Sequence, residues 1–185
     1  RALSLSGWKN ISLNPDGSII KERRVQFNFG AVAKGYAVDK AIEVLKRNGV
    51  PQALVNAGGE IREIGNDWVV GIQHPRSTNN LLGTIKLNGM SVATSGDYEQ
   101  FFEKDGKRYH HILNPETGYP SDNCRSVTAI SKTDVEADAL ATAFFILGKD
   151  KGLKLIERLS ETEAMIVDSV GQIFYSTGFE KYLVN

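Results

Sequence analysis

The sequence predicts an α+β fold: a mixed or antiparallel sheet with helices packed on it. Three observations lead there. Short segments of alternating polarity recur along the chain, three segments take a helical period, and the two kinds do not alternate as a doubly wound sheet demands.

From the N-terminus, Ile11–Leu13 and Ser18–Ile20 flank Asn14-Pro15-Asp16-Gly17, a strong turn signal, and read as a hairpin. Val25–Phe29 reads as a third strand. Ala37, Val38, Ala41, Ile42 and Leu45 recur at helical spacing, so a helix runs from Ala33, with Gly49 as its stop and Pro51 beyond. Ala53–Asn56 is a short strand entering a glycine turn. Trp68–Gln73 and Leu82–Leu87 are strands joined by a polar loop through Pro75 and Asn80, and Ser91–Thr94 is another. Tyr98–Glu103 and Lys107–Ile112 form a hairpin closed by Asp105-Gly106. Arg125–Ser131 alternates as a strand. A helix over Asp134–Leu147 follows, stopped by Gly148, with Thr133 and Glu136 at capping-box spacing. Leu153–Leu159 is a third helix, and Ala164–Asp168 with Gln172–Ser176 forms a terminal hairpin.

The 185 residues amount to one domain, with 41% hydrophobic residues to build a core. Twenty-two basic residues balance 22 acidic ones, so there is no field for steering a polyanion and nucleic acid is not an expected partner. No run approaches the ~18 apolar residues of a membrane span. Cys124 is the single cysteine, which excludes an intrachain disulfide and any multi-cysteine metal site. Arg1 is not a natural initiator and no signal segment follows it, so a mature, trimmed or partial form is expected.

The helix over Asp134–Leu147 is apolar on nearly every face after Ala137, interrupted only by Asp138 and Thr142, four residues apart on one face. A buried carboxylate needs a partner. Asp138 either serves the helix N-terminus or a basic residue, or joins Thr142 in holding a hard cation such as magnesium. Gly30-Ala31-Val32-Ala33-Lys34-Gly35-Tyr36 puts small residues where strand turns into helix, so backbone amides can approach an anion. Lys34 sits in the first turn, where the helix dipole disfavours a cation and a bound phosphate would offset that. Packing glycine beside a solvated lysine is the competing reading. Asn56–Glu60 and Thr94–Tyr98 are two further glycine turns after strands. His110 and His111 are adjacent, so in a strand they face opposite ways; one can serve as an acid or base and the other is structural.

Five motifs now stand in one order. They are Gly30-Ala31-Val32-Ala33-Lys34-Gly35-Tyr36-Ala37-Val38-Asp39, Asn56-Ala57-Gly58-Gly59-Glu60, Thr94-Ser95-Gly96-Asp97-Tyr98, His111-Ile112-Leu113-Asn114-Pro115-Glu116-Thr117-Gly118-Tyr119-Pro120 and Ala137-Asp138-Ala139-Leu140-Ala141-Thr142-Ala143. In this order and spacing they resemble the ApbE-like FAD:protein FMN transferases, from about Phe27 to the C-terminus. The resemblance implies an ApbE-like domain, related to the T-fold, that uses magnesium to split FAD. FMN passes to a threonine hydroxyl of an acceptor flavoprotein, a subunit of an ion-pumping respiratory complex outside the cytoplasm, and AMP leaves. By position it implies metal contacts from Asp138, Thr142 and a backbone carbonyl of the Gly30–Ala33 turn, taken at Ala31. It implies an FAD site lined by Lys34, Gly58, Gly59, Glu60, Ser95, Gly96 and Asp97. His111 matches the proton acceptor, with Asp97 in reserve. The family's motif often has Asp where this chain has Glu60, and the family carries roughly a hundred further residues ahead of this chain, including part of the flavin-ring pocket. An N-terminal segment or a second chain is therefore expected to complete the pocket. Hydrolysis of FAD to FMN and AMP, and a catalytically silent flavin- or metal-binding module, are the alternatives.

Overall fold

The structure, a computed structural model, describes residues 3–22, 24–65 and 68–184. Strands β1 (Ile11–Leu13) and β2 (Ile19–Lys21) pair as the expected hairpin. Helix α1 is Ala33–Arg47. Strands β3 (Ala53–Asn56) and β4 (Ile61–Ile64) follow, then β5 (Val69–His74), β6 (Ser77–Lys86) and β7 (Ser91–Gly96). Strands β8 (Phe101–Lys104) and β9 (Lys107–His110) form a separate hairpin, turned by Asp105 and Gly106 with φ of 52° and 72°. Strand β10 is Cys124–Ser131, helix α2 is Asp134–Ile156, and β11 (Glu163–Asp168) and β12 (Ile173–Tyr175) end the sheet.

One six-stranded antiparallel sheet, ordered β12-β11-β10-β7-β4-β3, carries the fold. Its strands alternate between two cores, as a period of two requires. Met165 and Val167 of β11 enter one core with Ile72, Ile85, Leu87 and Phe179, while Ala164 and Ile166 enter the other with Ala141, Phe144 and Phe145 of α2. The β5–β6 hairpin thus covers one face and α2 the other. Helix α1 lies against α2 at the β4 side of the sheet.

The structure corrects the sequence reading in five places. Residues 25–29 are not a strand: Val25 is buried, but Phe27 and Phe29 are exposed and stack on each other at 5.9 Å, and no strand among the described residues pairs with them. β4 was hidden in the sequence because charged residues occupy it, although Ile61 and Glu63 are buried. The β5–β6 turn lies at Pro75-Arg76, so the polar residues 77–80 belong to a strand rather than a loop; most of them face solvent, where polar side chains pair at no loss. Gly148, at φ 72° and ψ 180°, does interrupt α2, but the helical path resumes at once and ends at Ile156, short of Leu159. Finally, Thr133 makes no capping bond. The Asp39 carboxylate of α1 takes the Asp134 and Val135 N–H groups, both at 3.0 Å, and Glu136 accepts from Ser131 Oγ instead.

Candidate active site

α1 and α2 meet where Gly35 passes the first turn of α2. A Cβ on Gly35 would collide with the Asp134 carbonyl and approach Val135 Cα to 2.8 Å, so only glycine allows the crossing. The closeness lets the Gly35 N–H donate to Asp138 Oδ2 at 3.0 Å. Gly35 lies in the first turn of α1, where N–H groups have no acceptor within the helix, and Asp138 supplies one. Among the described residues no hydrogen bond reaches the Ala31 carbonyl, so it is left for another partner.

Asp138, Thr142 and Ala31 line one cleft of about 560 Å³, together with Gly30, Lys34, Glu60, Ser95, Gly96 and His111. Thr142 Oγ1 and Ser95 Oγ lie 2.9 Å apart and share a proton. Lys34 Nζ stands 2.6 Å from Glu60 Oε1, so the cation expected to await phosphate already has a carboxylate partner in the protein. Glu60 is 2% exposed, and burial raises its pKa against the pull of Lys34. Burial likewise raises Asp138, opposed by the Gly35 N–H and by Lys34. With Lys34 occupied by Glu60, the remaining fixed charges of the cleft, Asp138 and Glu99, are negative. An anionic diphosphate needs a cation there.

The donor set suits magnesium. One carboxylate, one hydroxyl and one unclaimed carbonyl are hard oxygen donors of the kind that ion takes along with water and phosphate. No group of three or more His, Cys, Asp or Glu side chains able to hold a metal occurs among the described residues, so softer, zinc-like ligation has no counterpart.

The two histidines part where β9 ends at His110 and His111 bends away from it. His111 is exposed on the cleft rim, its Nδ1 3.4 Å from the Gln100 carbonyl. His110 is buried, edge-on to Phe145. Its Nε2–H donates to the Ser121 carbonyl at 2.8 Å and its Nδ1 accepts from the Ile112 N–H, which fixes one neutral tautomer. Burial holds its pKa below the ordinary value.

Not every expected residue gathers here. The Asp97 carboxylate turns away from the cleft and takes both Arg76 terminal nitrogens at 2.6 Å, which leaves it no room to act as a base at His111's side. Gly58 and Gly59 line an adjoining cavity of about 280 Å³ that shares Thr94 and Glu99 with the cleft. Sequence reasoning also missed a buried cluster behind the cleft. Asp39 pairs with Arg62, and Asp134 is fully buried with no hydrogen-bond partner for either carboxyl oxygen among the described residues. Burial first, then the charges of Asp39, Glu60 and Asp138, push Asp134 up to about 8. The sole sequence signal for this cluster was Gly35, whose need for close approach could have placed α1 on the start of α2.

Residues 1–166 match the model of the ApbE family. The chain belongs to the ApbE family. Among ApbE relatives, the FAD:protein FMN transferase of Klebsiella pneumoniae (strain 342) is 38% identical over 160 residues, covering 85% of this chain and 50% of that protein. The FAD:protein FMN transferase of Treponema pallidum (strain Nichols) is 37% identical over 158 residues, 77% of this chain and 44% of its own length. The crystal structure of the ApbE protein from Thermotoga maritima superposes with a TM-score of 0.90 at 37% identity, over 100% of this chain and 62% of that one. The apo flavinyl transferase ApbE of Pseudomonas stutzeri gives 0.81 at 36% identity, over 98% and 58%. The chain spans about half the length of the curated relatives it matches. The antiparallel sheet with two packed helices is thus the ApbE arrangement.

Proposed function

We propose that this chain forms the phosphate and metal half of a magnesium-dependent FAD:protein FMN transferase. The carrying observation is that Asp138 and Thr142, one turn apart on α2, open into the same cleft as the unclaimed Ala31 carbonyl, Lys34 and His111. Relatives bearing that activity in their names support the reading.

Asp138, Thr142 and the Ala31 carbonyl would hold magnesium, which when bound neutralises charge on the FAD diphosphate. Lys34 adds positive charge at the same wall, and Gly30 and Gly96 let backbone approach the phosphates closely. The acceptor threonine Oγ attacks the flavin-side phosphorus as the bond to the AMP phosphate breaks. His111 takes the hydroxyl proton, AMP carries off the bonding pair, and FMN remains as a phosphoester on the acceptor. On the family resemblance, the acceptor is a flavin-carrying subunit of an ion-pumping respiratory complex and the reaction lies outside the cytoplasm. Because His111 is exposed, water can replace the threonine, giving free FMN and AMP.

Intact mass of a candidate acceptor after incubation with FAD, magnesium and this protein decides among these outcomes. The reading expects a gain of one FMN less water. Free FMN with an unmodified acceptor points to hydrolysis, and FAD left intact overturns both reactions.

A further inference from the structure

Away from the cleft, a cavity of about 190 Å³ lies beside Asp97. Four cationic side chains line it, Arg76, Lys107, Arg108 and Arg125, against two carboxylates, Asp97 and Asp122. Asp97 is shared: Arg76 holds it at 2.6 Å and Arg108 stands 3.6 Å away. Arg108 also meets Glu103 at 3.1 Å, but that carboxylate is more than half exposed and water screens the pair. Arg125 spends its Nε–H on the Ser169 carbonyl, which brings no countercharge. The Lys107 ammonium lies over the Tyr109 ring. In a chain without net charge, this is a local excess of two positive charges converging on one small space.

The size of that space narrows the occupant. Small-molecule sites begin near ~300 Å³, so this one suits a single anionic group rather than a nucleotide. Its position narrows it further. Asp122 and Ser169 also line a groove of about 620 Å³ past Asn114 and Lys149, and Ile146 is common to that groove and to the cleft. Cleft, groove and basic cavity therefore adjoin in series. A group that sits in the last while its neighbour reacts in the first belongs to an extended polymer.

We propose that the basic cavity anchors a carboxylate side chain of the acceptor polypeptide, whose extended segment follows the groove and brings its hydroxyl to His111. Guanidinium forks match a carboxylate in two parallel bonds, and such a charged anchor fixes register more than it adds affinity. The inference rests on the FMN-transfer reading above, but its test does not.

A fluorescein-labelled tetraglutamate peptide, with tetraglutamine as control, is titrated against the 185-residue chain by anisotropy at low salt. The glutamate peptide is expected to bind at least ~10-fold more tightly, since carboxylates make charge-assisted bonds to guanidinium and ammonium groups that the glutamine amides do not. Lys107→Ala with Arg125→Gln is expected to remove that difference, and Lys46→Ala with Lys154→Ala, exposed on the two helices away from cavity and groove, to keep it. In the NMR spectrum the Arg108 and Arg125 Nε–H signals shift on adding tetraglutamate. If the double variant does not fold, Lys107→Ala alone, on the exposed hairpin, carries the comparison. Equal binding of the two peptides overturns the proposal, as does equal loss in the Lys46/Lys154 variant. Displacement by equimolar inorganic phosphate also overturns it, making the cavity a free-anion site. No flavin, magnesium or turnover enters this assay. A chain that fails to transfer FMN but discriminates the peptides refutes the activity alone, and the reverse result refutes only the anchor.

Discussion

Four side chains show how one residue's surroundings decide its work. Asp138 is buried, which raises its pKa, and the Gly35 N–H and the Lys34 charge oppose that rise. Asp138→Asn is expected to lower FMN transfer by on the order of 10²-fold or more, because several kcal/mol of charge stabilisation go with the cation. Equal activity of the variant, or wild-type activity in EDTA, refutes the metal role. Asp134 sits four residues earlier with no such partners and is held neutral, with its pKa raised to about 8. The unfolded chain releases this proton near the ordinary ~4, whereas the folded chain keeps it. Stability contributed by Asp134 is therefore full below about pH 4 and declines as pH rises through the window to about 8. Denaturant midpoints at pH 5 and pH 8 are expected to fall further in wild type than in Asp134→Asn; parallel falls contradict the assignment. His111 and His110 complete the contrast. His111→Ala is expected to slow transfer by ~10²–10⁴-fold with the fold intact, the usual worth of a general base. His110→Ala instead breaks two buried hydrogen bonds and is expected to lower the melting temperature more than the turnover of the folded fraction.

At the level of elements, the junction of α1 and α2 builds the site, and it is here that sequence reading stopped short. Periodicity exposed both helices, and Gly148 announced the interruption of α2, because these are local properties. The hairpin turns at Asn14–Gly17 and Asp105-Gly106 were legible for the same reason. The cap of α2 was not legible: it comes from Asp39, 95 residues away in sequence, while the adjacent Thr133 makes no such bond. Asp97 misled in the same way, since its motif position said nothing of Arg76 across the fold. Asp138, Thr142, Ser95, Lys34, Glu60 and His111 do converge on one cleft: Lys34 lies in the first turn of α1, Glu60 precedes β4, Ser95 is next to the last residue of β7, His111 follows β9, and Asp138 and Thr142 come from α2. The capping result makes a comparison of variants decisive. Thr133→Ala is expected to cost less than ~0.5 kcal/mol or to stabilise, because the buried Thr133 Oγ1 has no hydrogen-bond partner among the described residues to lose. Asp39→Ala removes two N–H acceptors and leaves Arg62 unpaired, and is expected to cost more than the ~0.5–2 kcal/mol of a simple cap. Equal costs from urea titrations would show that α2 is capped from its own sequence after all.

Across the whole molecule, polar chemistry and apolar surface are segregated. The cleft is lined by Lys34, Glu60, Ser95, Asp138 and Thr142, and apart from His111 no aromatic side chain among the described residues lines it. Exposed aromatic rings lie elsewhere, among them Trp8, Tyr36 and Tyr119, Phe27 and Phe29 stacked ahead of α1, and Phe102 stacked on the half-buried Tyr109 at 5.1 Å on the β8–β9 hairpin. Phosphates and a cation therefore have partners in these residues, whereas an isoalloxazine ring has no stacking face. Aromatic stacking adds about 0.5–1.5 kcal/mol beyond area burial, and the area of a three-ring system adds several-fold more. Residues 1–185 alone are expected to bind FAD and ADP with affinities within about threefold, since the two share the diphosphate and adenosine and the flavin adds little contact. The ApbE protein of Thermotoga maritima, of which this chain covers 62%, provides the comparison, and there FAD is expected to exceed ADP by at least ~10-fold. Calorimetric titration of both proteins with both ligands in magnesium measures the two ratios. A ratio near tenfold for residues 1–185 alone would mean that the ring is gripped within this chain, by the Phe27–Phe29 pair or by a second copy, and the division between phosphate half and ring half would fall.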